Sequence, residues 1–158
     1  MSLIDSNMKI YLARAFAIAH HGDQVDKCGM PYVGHLERVA TFVEGWLSPG
    51  FSTEVVVAAW LHDVVEDTDT TVGDVEAAFG MRVGELVDLL TRRPHPEETH
   101  AEYIERVCAD PDAVIIKIAD VLDNMDPNRR NSEGNRPDEY DGMLTRYHKA
   151  LARLVREL

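Results

Sequence analysis

Apolar residues recur every three to four positions through most of the chain and almost nowhere in strict alternation, a pattern that predicts helices rather than strands. The first stretch, 7–21, places Ile10, Leu12, Ala13, Phe16, Ala17 and Ala19 on a broad apolar face and ends near His20-His21-Gly22. A polar loop, Asp23 to Met30, runs into Pro31-Tyr32, and a helix follows over 35–47 with Val39, Ala40, Phe42, Val43 and Trp46 at helical spacing until Ser48-Pro49-Gly50 breaks it. A continuous central helix is predicted over about 53–67, opened by Ser52 or Thr53 and filled by the apolar run Val55 to Leu61. Thr71 and Asp74 have capping-box spacing ahead of a short helix that Gly80 stops. Helices are then predicted at 82–91, 99–109 and 111–125, with the Pro94/Pro96 segment a loop and Asp126-Pro127 a stop. Asn128 to Pro137 reads as a polar loop, and 138–157 as a last amphipathic helix with Tyr140, Met143, Leu144, Tyr147, Leu151, Leu154 and Val155 inward. Val114-Ile115-Ile116 is β-branched but runs straight into a helical pattern, so the fold class is all-α.

Two places interrupt the pattern with polar residues where apolar ones are due. In Trp60-Leu61-His62-Asp63-Val64-Val65-Glu66-Asp67-Thr68, an imidazole and a carboxylate directly follow the apolar run, so their helix is buried and both need partners. Glu66 lies one turn beyond His62, and Asp67 one turn beyond Asp63, which stacks these side chains along a helix face. Three carboxylates and a histidine this close repel unless a cation or protons intervene. The second place is Lys117, Asp120, Asp123 and Asn124, which share one face of an otherwise apolar helix; such a stripe means either solvent on one side or a polar site inside. With His35 at the start of the second predicted helix, the candidate set is His35, His62, Asp63 and Asp120. Two imidazoles and two carboxylates suit Mn²⁺, Fe²⁺ or Zn²⁺ better than Ca²⁺ or Mg²⁺. A water on such a cation loses its proton near neutral pH and becomes a nucleophile.

Composition narrows the partners. A length of 158 residues predicts one domain, 1–158, and the formal net charge of −12 argues against a nucleic-acid or anionic-membrane surface. A phosphorylated small molecule remains compatible, because a metal and a few local cations can outweigh the global field. Two cysteines, Cys28 and Cys108, are too few for a disulfide framework, and the N-terminus has no signal-peptide core, so a cytoplasmic protein is expected. His95, His100 and His148 read as surface residues, and the helix dipole accounts for His20 and His21. Arg129, Arg130, Arg136, Arg146 and Lys149 read as a solvated face from which some cations could reach a phosphate. No heptad is sustained enough to predict an oligomer.

These residues resemble the HD superfamily of metal-dependent phosphohydrolases, and within it the alarmone (ppGpp) hydrolase domain of the Rel/SpoT group and its small stand-alone relatives. The similarity rests on Gly29-Met30-Pro31-Tyr32-Val33-Gly34-His35, Leu61-His62-Asp63-Val64-Val65-Glu66-Asp67-Thr68, Phe79-Gly80 with Val83 and Leu86-Val87, and Lys117-Ile118-Ala119-Asp120 with Leu122 and Asn124-Met125, covering about residues 10–126. The resemblance implies a compact helical bundle with a metal site between its central helices. It implies that His35, His62, Asp63 and Asp120 hold one Mn²⁺, and that Glu66 and Asp67 assist attack of a metal-activated water on a 3′-pyrophosphate. It further implies that Lys27 and Asn124 contact the nucleotide. The chain departs from the family at Asp26, where an Arg is usual, and at Val121 and Asp123, where an Arg and a His are usual. Each departure removes positive or stacking character from the substrate pocket. Two alternatives therefore stand beside ppGpp: another nucleotide or phosphorylated metabolite, and a non-catalytic nucleotide-binding module.

Overall fold

The computed structural model describes residues 3–26, 29–46, 52–94, 96–127 and 137–158. Among them the chain forms nine helices: α1 Leu3–His21, α2 Val33–Trp46, α3 Thr53–Leu61, α4 Val64–Asp67, α5 Val72–Phe79, α6 Met81–Leu90, α7 His100–Val107, α8 Pro111–Met125 and α9 Pro137–Leu154. The most apolar run of the sequence becomes the axis of the fold. Every residue of α3 except Glu54 is buried, and α1, α2, α6 and α8 pack around it. A helix apolar on all sides is stable only when enclosed in this way. Each Val or Leu sealed there contributes up to about 1.5–3 kcal/mol.

The boundaries follow local chemistry. Thr71 and Asp74 close the capping box at the start of α5, and Thr99 and Glu102 close another at α7. Asp110 accepts the Asp112 and Ala113 amides, with Pro111 at the first helical position, so α8 begins with a strong N-terminal signal. Gly80, at φ +98°, ends α5 and starts α6 in one residue, a conformation that side-chain-bearing residues rarely adopt. The loop before α2 doubles back through an isolated antiparallel bridge between Val25 and Pro31, which delivers Tyr32 beside the first turn of α2.

Several expectations need correction. The central helix is not continuous: it breaks at His62 and Asp63 and resumes as the single turn α4. α1 begins at Leu3, four residues before its expected start at residue 7. Its buried line is Ala13 and Ala17 with Ile10 and Phe16 partly covered, whereas Leu12 and Ala19 face outward. Phe42 and Trp46 stand exposed on α2, where they stack edge-to-face, and Val155 is exposed past the end of α9. At Leu12, Ala19, Phe42 and Trp46 the apolar period was wider than the face that the neighbouring helices cover, and at Val155 the helix has already ended. Lys27, Cys28, His95, Arg129, Arg130, Arg136 and most of the expected 128–137 loop lie outside the described residues. Among the described residues, no helix is long and apolar enough to cross a membrane.

Candidate metal centre

The break after α3 is what assembles the site. Side chains of neighbouring helical residues point about 100° apart, so a regular helix could not aim both His62 and Asp63 at one point. Asp63 instead takes φ −105° and ψ −2°, in the bridge region between helix and strand, where many active-site residues sit. This turns its carboxylate back, so that Asp63 Oδ2 lies 3.0 Å from His62 Nε2. α2 supplies His35, whose Nε2 lies 3.6 Å from Asp63 Oδ2 and 3.3 Å from Asp120 Oδ1 on α8. Asp120 Oδ1 is also 3.8 Å from His62 Nε2. Ligating atoms of His35, His62 and Asp63 fall within 4.8 Å of one another, the separation a single small cation spans, and Asp120 flanks them. The four expected ligands are thus brought together, and the polar stripe of α8 faces the interior rather than solvent.

Each of the four is oriented from behind. His62 Nδ1 lies 2.8 Å from the Ala59 carbonyl, which fixes the proton there and turns Nε2 inward. That Nε2 is buried and has no hydrogen-bond partner, whereas buried imidazole nitrogens in a finished core are nearly always satisfied. His35 Nδ1 lies 2.7 Å from Asp123 Oδ2. The Tyr32 hydroxyl donates to Asp63 Oδ2 at 2.5 Å, and Lys117 Nζ and Asn124 Nδ2 donate to the two Asp120 oxygens, each at 2.6 Å.

The electrostatics match. Burial opposes a charged imidazole at His35, but the Asp120, Asp123 and Asp63 carboxylates outweigh it and push the ring up to about 11. His62 is pushed up to about 9 in the same way, by Asp63 and Asp120 against burial. Burial would raise both Asp63 and Asp120, yet the facing cations hold them well below the usual carboxylate range: His62 and His35 for Asp63, Lys117 and the two histidines for Asp120. Without a metal, protons on the imidazoles balance the carboxylates. A divalent cation on the same nitrogens would take their place, which is the donor chemistry of a metal site.

One turn on, Glu66 and Asp67 occupy the exposed rim. Glu66 Oε2 accepts the Arg92 backbone N–H at 3.0 Å, and partial burial together with Asp63 and Asp67 pushes its pKa up. Asp67 Oδ2 accepts from Gln24 Nε2 at 2.9 Å, and Gln24 Oε1 lies 2.8 Å from Nδ1 of the buried His21. His21 is therefore more than a helix-end residue: it anchors the residue that holds Asp67. His100 is half-buried rather than on the surface, and burial with Lys117, Arg92 and Arg146 pushes its pKa down, so cations gather on this side of the site. The role of Asp123 was missed, although it stood in the polar stripe of α8. Asp26, the other polar departure, accepts the Met30 amide at 3.0 Å and closes the turn before Tyr32. Lys27 lies outside the described residues.

Comparison with known proteins identifies the family. The chain is 36% identical to human guanosine-3′,5′-bis(diphosphate) 3′-pyrophosphohydrolase MESH1, over 92% of this chain and 86% of that protein. It is 35% identical to the guanosine-3′,5′-bis(diphosphate) 3′-pyrophosphohydrolase of Aquifex aeolicus over 74% of this chain, but spans only 17% of that longer relative. A solved structure described as a metazoan ortholog of SpoT that hydrolyses ppGpp superposes with a TM-score of 0.79 at 31% identity, covering 92% of this chain and 85% of the other. The sequence model of the HD domain matches residues 13–141, and the chain belongs to the HD-domain family.

Proposed function

We propose that the chain is a metal-dependent phosphohydrolase that removes the 3′-pyrophosphate of ppGpp. The observation that carries this reading is the convergence of two oriented imidazoles and two carboxylates, with the buried His62 Nε2 making no hydrogen bond, directly beside the rim carboxylates Glu66 and Asp67. The mixed nitrogen and oxygen donors favour Mn²⁺, with Fe²⁺ and Zn²⁺ as alternatives. A divalent cation held by His35, His62, Asp63 and Asp120 would supply Lewis-acid charge stabilisation and acidify a water.

The chain's own residues do the rest. Glu66, with its raised pKa, is suited to accept a proton from the attacking water and return it to the departing oxygen. Asp67, steadied by Gln24, orients that water. Lys117 fixes Asp120, and Lys117, Arg92 and Arg146 place positive charge where phosphate charge must be accommodated. Asn124 and Lys27 are the proposed nucleotide contacts, Asn124 reaching the site from the Asp120 face of α8. A cytoplasmic setting suits a chain with two cysteines, one of them a free, partly buried Cys108.

A second reading, hydrolysis of another phosphorylated nucleotide or metabolite, is favoured by Asp26, which spends its carboxylate on a turn where the family places a stacking Arg. The test is pyrophosphate release from a nucleotide panel that includes ppGpp, with Mn²⁺ and with chelator, for wild type and Asp63→Ala. Release from ppGpp that both chelation and Asp63→Ala abolish establishes the proposal. Release from a different nucleotide alone establishes the second reading. No release from any substrate by the Mn²⁺-loaded protein leaves a binding module.

A further inference from the structure

The two site histidines are held from behind by different kinds of group. His62 uses a neutral backbone carbonyl, Ala59 O, at 2.8 Å. His35 uses the carboxylate of Asp123, with Nδ1 to Oδ2 at 2.7 Å. That carboxylate is held in turn: Arg38 Nε donates to Asp123 Oδ1 at 2.6 Å and Nη2 to Oδ2 at 3.2 Å, a side-on clasp. His35 and Arg38 lie three residues apart on α2, so one helix grips both sides of a carboxylate that the other helix, α8, presents. Asp123 is nearly enclosed, its side chain 9% exposed, while Arg38 reaches solvent.

We propose that Asp123 is a positioning residue for cation binding: with Arg38 it locks the ring of His35, aims Nε2 at Asp63 and Asp120, and sets the affinity of the site. The inference rests on the metal reading above. In the neutral ring that a metal requires, the proton is held on Nδ1 by Asp123 and the lone pair of His35 is confined to Nε2, on the side of the other ligands. An anionic acceptor behind an imidazole also makes its outer nitrogen a stronger donor than a carbonyl does, and loss of such a partner typically weakens metal affinity by about 10–100-fold. Arg38 tempers the charge and, more importantly, fixes the plane of the carboxylate, which a surface Asp would not maintain. The position where the family resemblance leads one to expect a His thus reads as a change behind the metal rather than a loss from the substrate pocket.

The test is titration of metal-free protein with Mn²⁺, following free Mn²⁺ by electron paramagnetic resonance, alongside thermal melting in chelator. Wild type, Asp123→Ala, Asp123→Asn and Arg38→Met are compared. Asp123→Ala should weaken Mn²⁺ binding about 10–100-fold. Asp123→Asn keeps an acceptor in place but not its charge and should fall between wild type and Ala, with Arg38→Met weaker in effect than Ala. A merely structural role would lower the melting temperature of the metal-free protein and leave affinity alone. Unchanged affinity in both Asp123 variants overturns the inference while leaving the metal site standing. If Asp123→Ala fails to fold, unchanged affinity in Asp123→Asn alone overturns it. Failure of wild type to bind Mn²⁺ at all overturns the metal reading and this inference with it.

Discussion

Two of the buried polar clusters among the described residues are finished differently. At the end of α6, Arg106 spends all five of its N–H donors: Nε and Nη2 on the two Glu98 oxygens at 2.7 and 2.9 Å, Nη1 on the Asp88 and Leu89 carbonyls, and Nη2 on the Thr91 carbonyl. Glu98 also accepts the Arg93 amide at 3.0 Å. The helix-end carbonyls that an α-helix leaves unpaired are thereby answered, and the cluster needs nothing from outside the chain. The cluster of His35, His62, Asp63 and Asp120 is equally well supported from behind, yet its inward atoms point at one another and His62 Nε2 makes no hydrogen bond. On the proposed reading the first is architecture, and the second is completed by a metal ion.

Variants should separate the two clusters cleanly. Asp63→Ala should lower turnover by on the order of 10⁴-fold, the scale of the several kcal/mol a metal contributes, with no detectable Mn²⁺ binding by calorimetry. Glu66→Gln should bind Mn²⁺ as wild type does but lose about 10²–10³-fold in kcat, since only proton transfer is removed. Arg106→Ala should do the reverse, leaving Mn²⁺ affinity unchanged and costing about 3 kcal/mol of stability by stranding the nearly buried Glu98 carboxylate; chemical denaturation reads this directly. Some turnover should be lost as well, because the loop that Glu98 anchors also presents the Arg92 amide to Glu66.

The same latch gives a pH dependence. Hydrogen bonding from Arg106, against burial, lowers the Glu98 pKa below its ordinary 4.5. A carboxylate depressed in the folded state adds stability that is fully present above 4.5 and disappears as pH falls through the folded value. Wild type should therefore lose more stability than Glu98→Gln between roughly pH 5 and pH 3, measured by melting temperature in chelator. The smallest effect is expected at Gln24→Ala, which frees Asp67 and should cost about 10-fold in kcat with KM and Mn²⁺ affinity little changed.

Much of this was legible in the sequence because it is encoded locally. The capping box at Thr71 and the stop at Gly80 are short-range signals read directly from the sequence, and the helices lie close to where the periodicity put them; Thr99 and Asp110-Pro111 are local signals of the same kind that went unread. The four clustered residues were legible too, because polar groups in apolar runs must be paired or used. What the sequence did not disclose depends on long-range contact. The apolar run from Val55 to Leu61 predicts a helix that continues through Glu66; no Gly or Pro marks the break at Asp63, which coincides with the approach of His35 from α2 and Asp120 from α8. Asp123 reads as a lost cation until His35 and Arg38, more than eighty residues earlier, are seen on either side of it. His21 reads as a dipole-favoured helix end until Gln24 links it to Asp67. The exposed Phe42 and Trp46 show the converse limit, since helical spacing gives a face but not its width.

The most direct test of the central claim is calorimetric titration of the metal-free protein with Mn²⁺, for wild type and for the near-isosteric Asp63→Asn. The account predicts one Mn²⁺ per wild-type chain, a gain of about 2.7 kcal/mol in stability when free Mn²⁺ stands at 100 times its Kd, and loss of both in Asp63→Asn. Wild type that binds no Mn²⁺, or Asp63→Asn that binds it as tightly, would mean that the second cluster, like the first, is only architecture.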